Sequence, residues 1–179
     1  MSLVIEAFFD PVTEGTIRSM WQTIERAALP AKLPSSGSRL HISLASCDYL
    51  ERGVFVPLLE HITAATSCFS IRFAHFGRFI AGEGALFLAP VVSEQLISLH
   101  RSVLAAFERY KLAASSYDLP DQWVPHCTLV RAISSDDVGA AIAVCHSVGI
   151  PLQGQIEALG LVAVCPERIE QLVTIPLHG

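Results

Sequence analysis

The sequence lacks the long apolar segments that cross membranes. Although 51% of its 179 residues are hydrophobic, Gly, Pro or charged residues interrupt every apolar run before it reaches the roughly 20 residues that a membrane span needs. The first six residues also lack the basic region and apolar stretch that are typical of a signal peptide. We therefore expect a cytoplasmic protein that makes no membrane contact.

Closely spaced cysteine pairs are also missing. The five cysteines lie far apart, with no C-x-x-C pair among them. An odd and scattered set favours reduced, mostly buried thiols over a disulfide framework or a zinc cluster. The sequence has no H-E-x-x-H motif or clustered carboxylates of the kind that metal hydrolysis favours. We therefore expect neither a metal nor another cofactor.

The sequence also lacks an excess of positive charge. The chain has twelve Lys and Arg residues and seventeen Asp and Glu residues, which gives a formal net charge of −5. Proteins that track long nucleic acids usually present a basic stripe, because phosphate neutralisation supplies most of that affinity. A small nucleotide or an RNA end is therefore the expected partner, rather than duplex DNA, and we expect a monomer.

The chain does contain alternating and helical apolar patterns, which predict an α+β fold. We expect one domain over residues 1–179, with antiparallel sheets covered by helices. The predicted strands span residues 3–9, 39–46, 69–79, 85–92 and 123–132, followed by two C-terminal strands around a turn at 165–168. The predicted helices span residues 11–29, 51–66, 94–112 and 136–148, and a turn at 82–84 joins the third strand to the fourth.

The two halves of the chain resemble each other weakly. Each half has a helix, a turn-rich loop, a strand with a His-x-Ser/Thr motif, another helix and then a hairpin. The two motifs are Leu40-His41-Ile42-Ser43-Leu44 and Pro125-His126-Cys127-Thr128-Leu129. From composition alone, two such matches are expected in roughly a few per cent of chains of this kind.

Strand geometry gives each motif one polar face. Side chains at positions i and i+2 of a strand share a face, so each motif pairs an imidazole with a hydroxyl, His41 with Ser43 and His126 with Thr128. Alternation sends Cys127 to the opposite face, which predicts a buried structural thiol rather than a nucleophile.

Two such faces suit chemistry on a ribose 2′,3′-cyclic phosphate. Imidazole titrates near neutral pH, so one ring can accept a proton from water while the other protonates the departing ribose oxygen. The two hydroxyls can donate hydrogen bonds to the phosphate oxygens as negative charge develops. Trp123, Tyr49 and Phe76 are candidates for stacking a base at the cleft.

The paired HxSx and HxTx motifs resemble the signatures of the two-histidine (2H) phosphoesterase superfamily, which includes 2′-5′ RNA ligase-like proteins and 2′,3′-cyclic nucleotide phosphodiesterases. The order of elements and the segment from Trp123 to Arg131 agree with it as well. The resemblance implies two pseudo-symmetric lobes with the motifs facing each other across a cleft. It implies His41 as proton donor, His126 as proton acceptor, and Ser43, Thr128 and Arg131 as phosphate ligands.

Other interpretations of the sequence stay open at this stage. The reaction could run as hydrolysis or as ligation, with RNA processing as its setting. The same cleft could instead serve a nucleotide-binding or sensing module with little catalytic activity, because a fold does not fix a function. The two motifs could also be chance matches in an unrelated α+β protein, in which case His41 and His126 would not share one phosphate.

Overall fold

A computed structural model of the chain describes residues 2–32, 38–49, 51–80, 84–165 and 168–179. The described residues form seven strands and four α-helices. The strands are β1 (Ser2–Phe9), β2 (His41–Cys47), β3 (Phe69–Phe79), β4 (Ala85–Pro90), β5 (Cys127–Arg131), β6 (Leu152–Val164) and β7 (Ile169–Pro176). The helices are α1 (Pro11–Arg26), α2 (Phe55–Thr63), α3 (Glu94–Arg109) and α4 (Val138–His146).

The strands form one antiparallel sheet in the order β2-β1-β6-β3-β4-β5, with β7 paired to β6. The long strand β6 holds the sheet together, because one of its edges pairs with β1 while the other pairs first with β3 and then with β7. The prediction of an α and β fold with antiparallel strands and helices is confirmed. The division into two lobes and the single domain stay predictions.

Alternation along β1 separates the core from the opposite face of the sheet. Leu3, Ile5 and Ala7 are buried in the main hydrophobic core, whereas Phe8 belongs to a second, smaller apolar cluster. In the main core, α1 packs against α4, and α2 packs against α3. No helix in the described part of the chain is both long and apolar enough to span a bilayer.

Side-chain caps fix the beginnings of the two longest helices. The carboxylate of Asp10 accepts hydrogen bonds from the main-chain N–H groups of Val12 and Thr13, both at 3.0 Å. Ser93 accepts from the N–H of Leu96 at 3.2 Å, as the sequence predicts for this helix. Such caps satisfy N–H groups that have no partner inside the first turn.

The fifth strand is shorter than its apolar pattern predicts. We expected a strand over residues 123–132, but β5 covers Cys127–Arg131, so His126 lies immediately before it. Pro125 has no N–H to donate to a ladder, and the N–H of Trp123 is already bonded to the carbonyl of Leu119. The predicted turn at 82–84 falls partly outside the described residues, as does part of the turn at 165–168.

The order of elements repeats in the two halves of the chain, as the sequence suggests. The series α1, β2, α2, β3, β4 is followed by α3, β5, α4, β6, β7. The motif strands β2 and β5 occupy the two ends of the strand order, yet they contact each other. Arg131 and Lys32 also exchange two main-chain hydrogen bonds of 2.7 Å, which tie the end of β5 to the loop after α1.

Candidate active site

A cleft of about 570 Å³ lies between the motif strands. Of the five residues predicted from the sequence, His41, Ser43, Thr128 and Arg131 line this cleft. His126 lies beside it, two positions before Thr128, where a positive charge on its ring lowers the pKa of His41. Among the described residues, the other charged or acidic side chains at the cleft are Glu6, Lys32, Arg39, Asp118 and Arg168.

The same main-chain contact orients both imidazoles. Nδ1 of His41 lies 2.7 Å from the carbonyl oxygen of Arg39, and Nδ1 of His126 lies 2.7 Å from that of Val124. A carbonyl oxygen can only accept, so each Nδ1 carries the hydrogen and donates it. In the neutral rings Nε2 is then the unprotonated nitrogen, which leaves it free to exchange a proton.

Two aromatic rings hold the imidazole of His126 in place. The centroid of Phe79 lies 4.9 Å from that of the imidazole in an edge-on arrangement, and the centroid of Phe87 lies 5.2 Å away. Burial lowers the pKa of His126, and the positive charge of Arg131 lowers it further. His126 is therefore neutral at pH 7, the protonation state that a general base needs.

His41 is still harder to protonate. Burial lowers its pKa to about 4, and the charges of His126 and Arg131 act in the same direction. The sequence does not indicate such a shift, because it arises from burial in the folded protein. A neutral His41 at pH 7 conflicts with the expected role as proton donor unless another group supplies the proton.

A buried carboxyl group stands next to His41. Glu6 on β1 is only 4% exposed, and its Oε1 lies 3.3 Å from Nε2 of His41. Burial raises the pKa of Glu6 to about 8, although the neighbouring charge of Arg39 acts against the rise. Sequence reasoning missed Glu6, although one acidic residue within the apolar strand Leu3–Phe9 could have drawn attention to it.

Several positively charged side chains line the cleft, although the chain as a whole is acidic. The positive charge of Arg131 lowers the pKa of both imidazoles. Arg39 is held by the carboxylate of Glu14 and lies 4.3 Å above the ring of Phe8. A cleft with several cations, two hydroxyls and two imidazoles is suited to a phosphate group.

Other polar residues support the site from the loop before His126. The ring of Trp123 is stacked on the buried His100 with the centroids 3.9 Å apart, so one face of this indole is occupied within the structure. Asp118 Oδ2 accepts hydrogen bonds from the N–H and the hydroxyl of Ser46, at 2.8 and 2.6 Å. The loop is thereby joined to β2.

Cys127 is a buried structural thiol, as alternation predicts. It is 1% exposed, and burial raises its pKa to about 12. A thiol with this pKa is not a nucleophile at neutral pH. Within the part of the chain that the structure describes, no three His, Cys, Asp or Glu side chains form a group that could hold a metal ion.

The fold is similar to that of several solved structures. TT0787 of Thermus thermophilus is 17% identical with a TM-score of 0.72, covering 100% of this chain and 99% of that one. Escherichia coli LigT complexed with 3′-AMP is 16% identical with a TM-score of 0.69, covering 98% and 97%. A third structure, described as a phosphoesterase, is 17% identical with a TM-score of 0.68, covering 99% and 98%. At these identities the likeness shows the fold.

The sequence also matches a family model. The model of the 2′-5′ RNA ligase superfamily matches residues 13–164, which include both motifs. The chain therefore belongs to the 2′-5′ RNA ligase superfamily, and the resemblance to two-histidine phosphoesterases is confirmed. No curated protein sequence matches the chain.

Proposed function

We propose that the protein is a metal-independent phosphoesterase that opens a 2′,3′-cyclic phosphate, or cleaves a 2′-5′ phosphodiester, on a ribonucleotide or RNA end. One observation carries the proposal: the same main-chain contact at Nδ1 anchors both imidazoles, which makes Nε2 of His41 and of His126 the nitrogen that can exchange a proton. Superfamily membership supports phosphodiester chemistry.

In the proposed hydrolysis, Nε2 of His126 accepts a proton from water. The water oxygen attacks phosphorus, and the bond from phosphorus to one ribose oxygen breaks. His41 protonates the departing oxygen through its own Nε2, and ligation is the reverse of these steps. Because His126 is neutral at pH 7, it is ready to act as the base.

The remaining predicted residues bind the phosphate in this proposal. Ser43 and Thr128 donate their hydroxyl hydrogens to the non-bridging oxygens, and Arg131 balances the negative charge that develops. A small nucleotide or RNA end fits both the size of the cleft and the net charge of −5. The 3′-AMP complex of Escherichia coli LigT supports the same ligand class.

Substitution of each histidine tests the proposal. We expect His41→Ala and His126→Ala each to lower the hydrolysis of 2′,3′-cyclic AMP by about two to four orders of magnitude, the usual contribution of one acid or base. His61→Ala is the matched control, because His61 is exposed on α2, away from the cleft. A chelator should leave the wild-type rate unchanged.

Two results would contradict the proposal. Wild-type rates in both site variants would show that the imidazoles do not perform the chemistry. Saturable binding of nucleotides with no turnover over hours would instead indicate a nucleotide-binding module that uses the same cleft.

A further inference from the structure

Strand pairing places Glu6 in the cleft. On β1, Glu6 lies opposite Ser43 of β2, and directly opposed residues of an antiparallel pair point to the same face of the sheet. His41 is two positions from Ser43 and shares that face. The carboxyl group is therefore a cross-strand neighbour of the first motif.

The contact between Glu6 and His41 requires a proton. Nδ1 of His41 already donates to the carbonyl of Arg39, so Nε2 is the nitrogen that faces Oε1 of Glu6 at 3.3 Å. An ionised carboxylate and a neutral Nε2 are both acceptors, and two acceptors do not hold each other at this distance. The pair therefore keeps one proton, either on the carboxyl or on the imidazole.

The surroundings place this proton on Glu6 in the free protein. Burial favours the neutral form of both groups, which raises the pKa of Glu6 and lowers that of His41. Arg39 favours an ionised Glu6, but its effect on the pKa is smaller than that of burial. The other titratable or charged side chains around the pair are His126, Cys127, Arg131, Asp118, Lys32 and Arg168.

We propose that Glu6 is a positioning residue that stores the proton His41 delivers to the departing ribose oxygen. This inference rests on the proposed function. When a phosphate enters the cleft, its negative charge favours an imidazolium, so the O–H bond of Glu6 breaks and an N–H bond forms at Nε2 of His41. His41 then passes this hydrogen to the departing oxygen. Solvent reprotonates Glu6, and His126 releases the proton that it took from water.

The substitution Glu6→Gln tests this role through the pH profile. Gln keeps the shape and volume of Glu but has no acidic proton to give. We expect kcat/KM for 2′,3′-cyclic AMP to fall at least about tenfold at pH 8 and less at pH 5, which moves the alkaline limb to lower pH by about one unit or more. Glu94→Gln, on the exposed first turn of α3, makes the same side-chain substitution away from the cleft and should keep the wild-type profile.

A measurement without turnover separates this inference from the proposed function. In protein labelled with ¹³C at the Glu side-chain carboxyls, one resonance should titrate near pH 8 in the wild type and be absent from Glu6→Gln. Near-ultraviolet circular dichroism checks that the variant is folded. If it does not fold, the wild-type titration decides alone, and the absence of any Glu carboxyl that titrates above pH 6 overturns the inference.

The two failures give different results. If the wild type hydrolyses no cyclic nucleotide but shows the alkaline carboxyl titration, the proposed function fails while the shared proton stands. If both histidines are required but Glu6→Gln keeps the wild-type pH profile, the inference fails while the proposed function stands. Partial recovery of the alkaline limb by Glu6→Asp would support a carboxyl proton rather than a packing effect.

Discussion

The indole N–H of Trp123 donates to the main-chain oxygen of Ser43 across 2.9 Å. This bond ties the loop that leads to His126 to the strand that carries His41. The two motifs are 85 positions apart in the chain, so their relative position depends on such contacts between β2 and the segment before β5.

Trp123→Phe should weaken this connection. Phenylalanine keeps a ring that can stack on His100 but cannot donate to Ser43. We expect a loss of about 1 kcal/mol in the free energy of unfolding, the usual net value of a hydrogen bond. A fall in kcat/KM of about tenfold should accompany it, because the proposed acid and base lose alignment. Chemical denaturation and steady-state kinetics measure the two effects.

Trp21→Phe is the matched control for stability. The indole N–H of Trp21 is buried, and the described part of the chain offers it no acceptor. The same substitution there removes no hydrogen bond, so its cost reflects the loss of packing alone. Wild-type stability in Trp123→Phe would show that the bond to Ser43 contributes nothing.

Gly77→Ala should disturb His126 through the ring of Phe87. Gly77 on β3 lies opposite Phe87 on β4, and a Cβ added there would overlap Cε2 of the ring. The ring must move, although it is one of the two that hold the imidazole. We expect a stability loss of about 1–3 kcal/mol, typical of overpacking, and an activity loss of about tenfold or more.

Gly139→Ala provides the contrast. Gly139 lies in α4, where an added Cβ meets no heavy atom within 4 Å. Alanine is the better helix former, so this variant should gain about 0.4–1 kcal/mol and keep its activity. Thermal unfolding and hydrolysis rates of both variants provide the comparison, and wild-type activity in Gly77→Ala would contradict the proposed path through Phe87.

Local sequence patterns predict most elements of this fold. The caps Asp10 and Ser93 mark the beginnings of α1 and α3, which both begin where the sequence predicts. The helix predicted over residues 51–66 is shorter, because regular α-helix begins only at Phe55 and ends at Thr63. The neighbours of each strand could not be predicted, because the pairing of β1 with β6 joins opposite ends of the chain.

The candidate site was predictable only where residues that lie close together in the sequence carry the pattern. His41 with Ser43, and His126 with Thr128, are spaced within their motifs, and Arg131 follows the second. Glu6 escaped notice because its proposed role depends on the register between β1 and β2, which no local pattern encodes. The neutral state of both histidines was likewise unpredictable, since burial sets their pKa values.

Arg131→Gln should change both the rate and its pH dependence. Loss of a charge-assisted hydrogen bond, worth about 1.5–3 kcal/mol, corresponds to a fall of about 10- to 100-fold in kcat/KM. The charge of Arg131 lowers the pKa of His126, so its removal raises that pKa. The acidic limb, where the base gains a proton, should therefore move to higher pH. Arg101→Gln, exposed on α3, is the control, and an unmoved limb would contradict this electrostatic role.

The protonated Glu6 also predicts how stability changes with pH. The pKa of Glu6 is about 8 in the folded protein, against 4.5 for an ordinary glutamate. Between these two values the folded protein holds a proton that the unfolded chain has lost. Raising the pH through this window therefore lowers the free energy of unfolding, at a limit of about 1.4 kcal/mol per pH unit for one proton.

The free energy of unfolding of Glu6→Gln lacks this pH dependence, because glutamine does not titrate. The stability of the variant relative to the wild type should therefore rise steadily from pH 5 to pH 8. Urea unfolding of the two proteins at half-unit steps of pH measures the difference. A stability difference that stays constant above pH 6 would mean that Glu6 is already ionised there. Its carboxyl group would then hold no proton to give to His41.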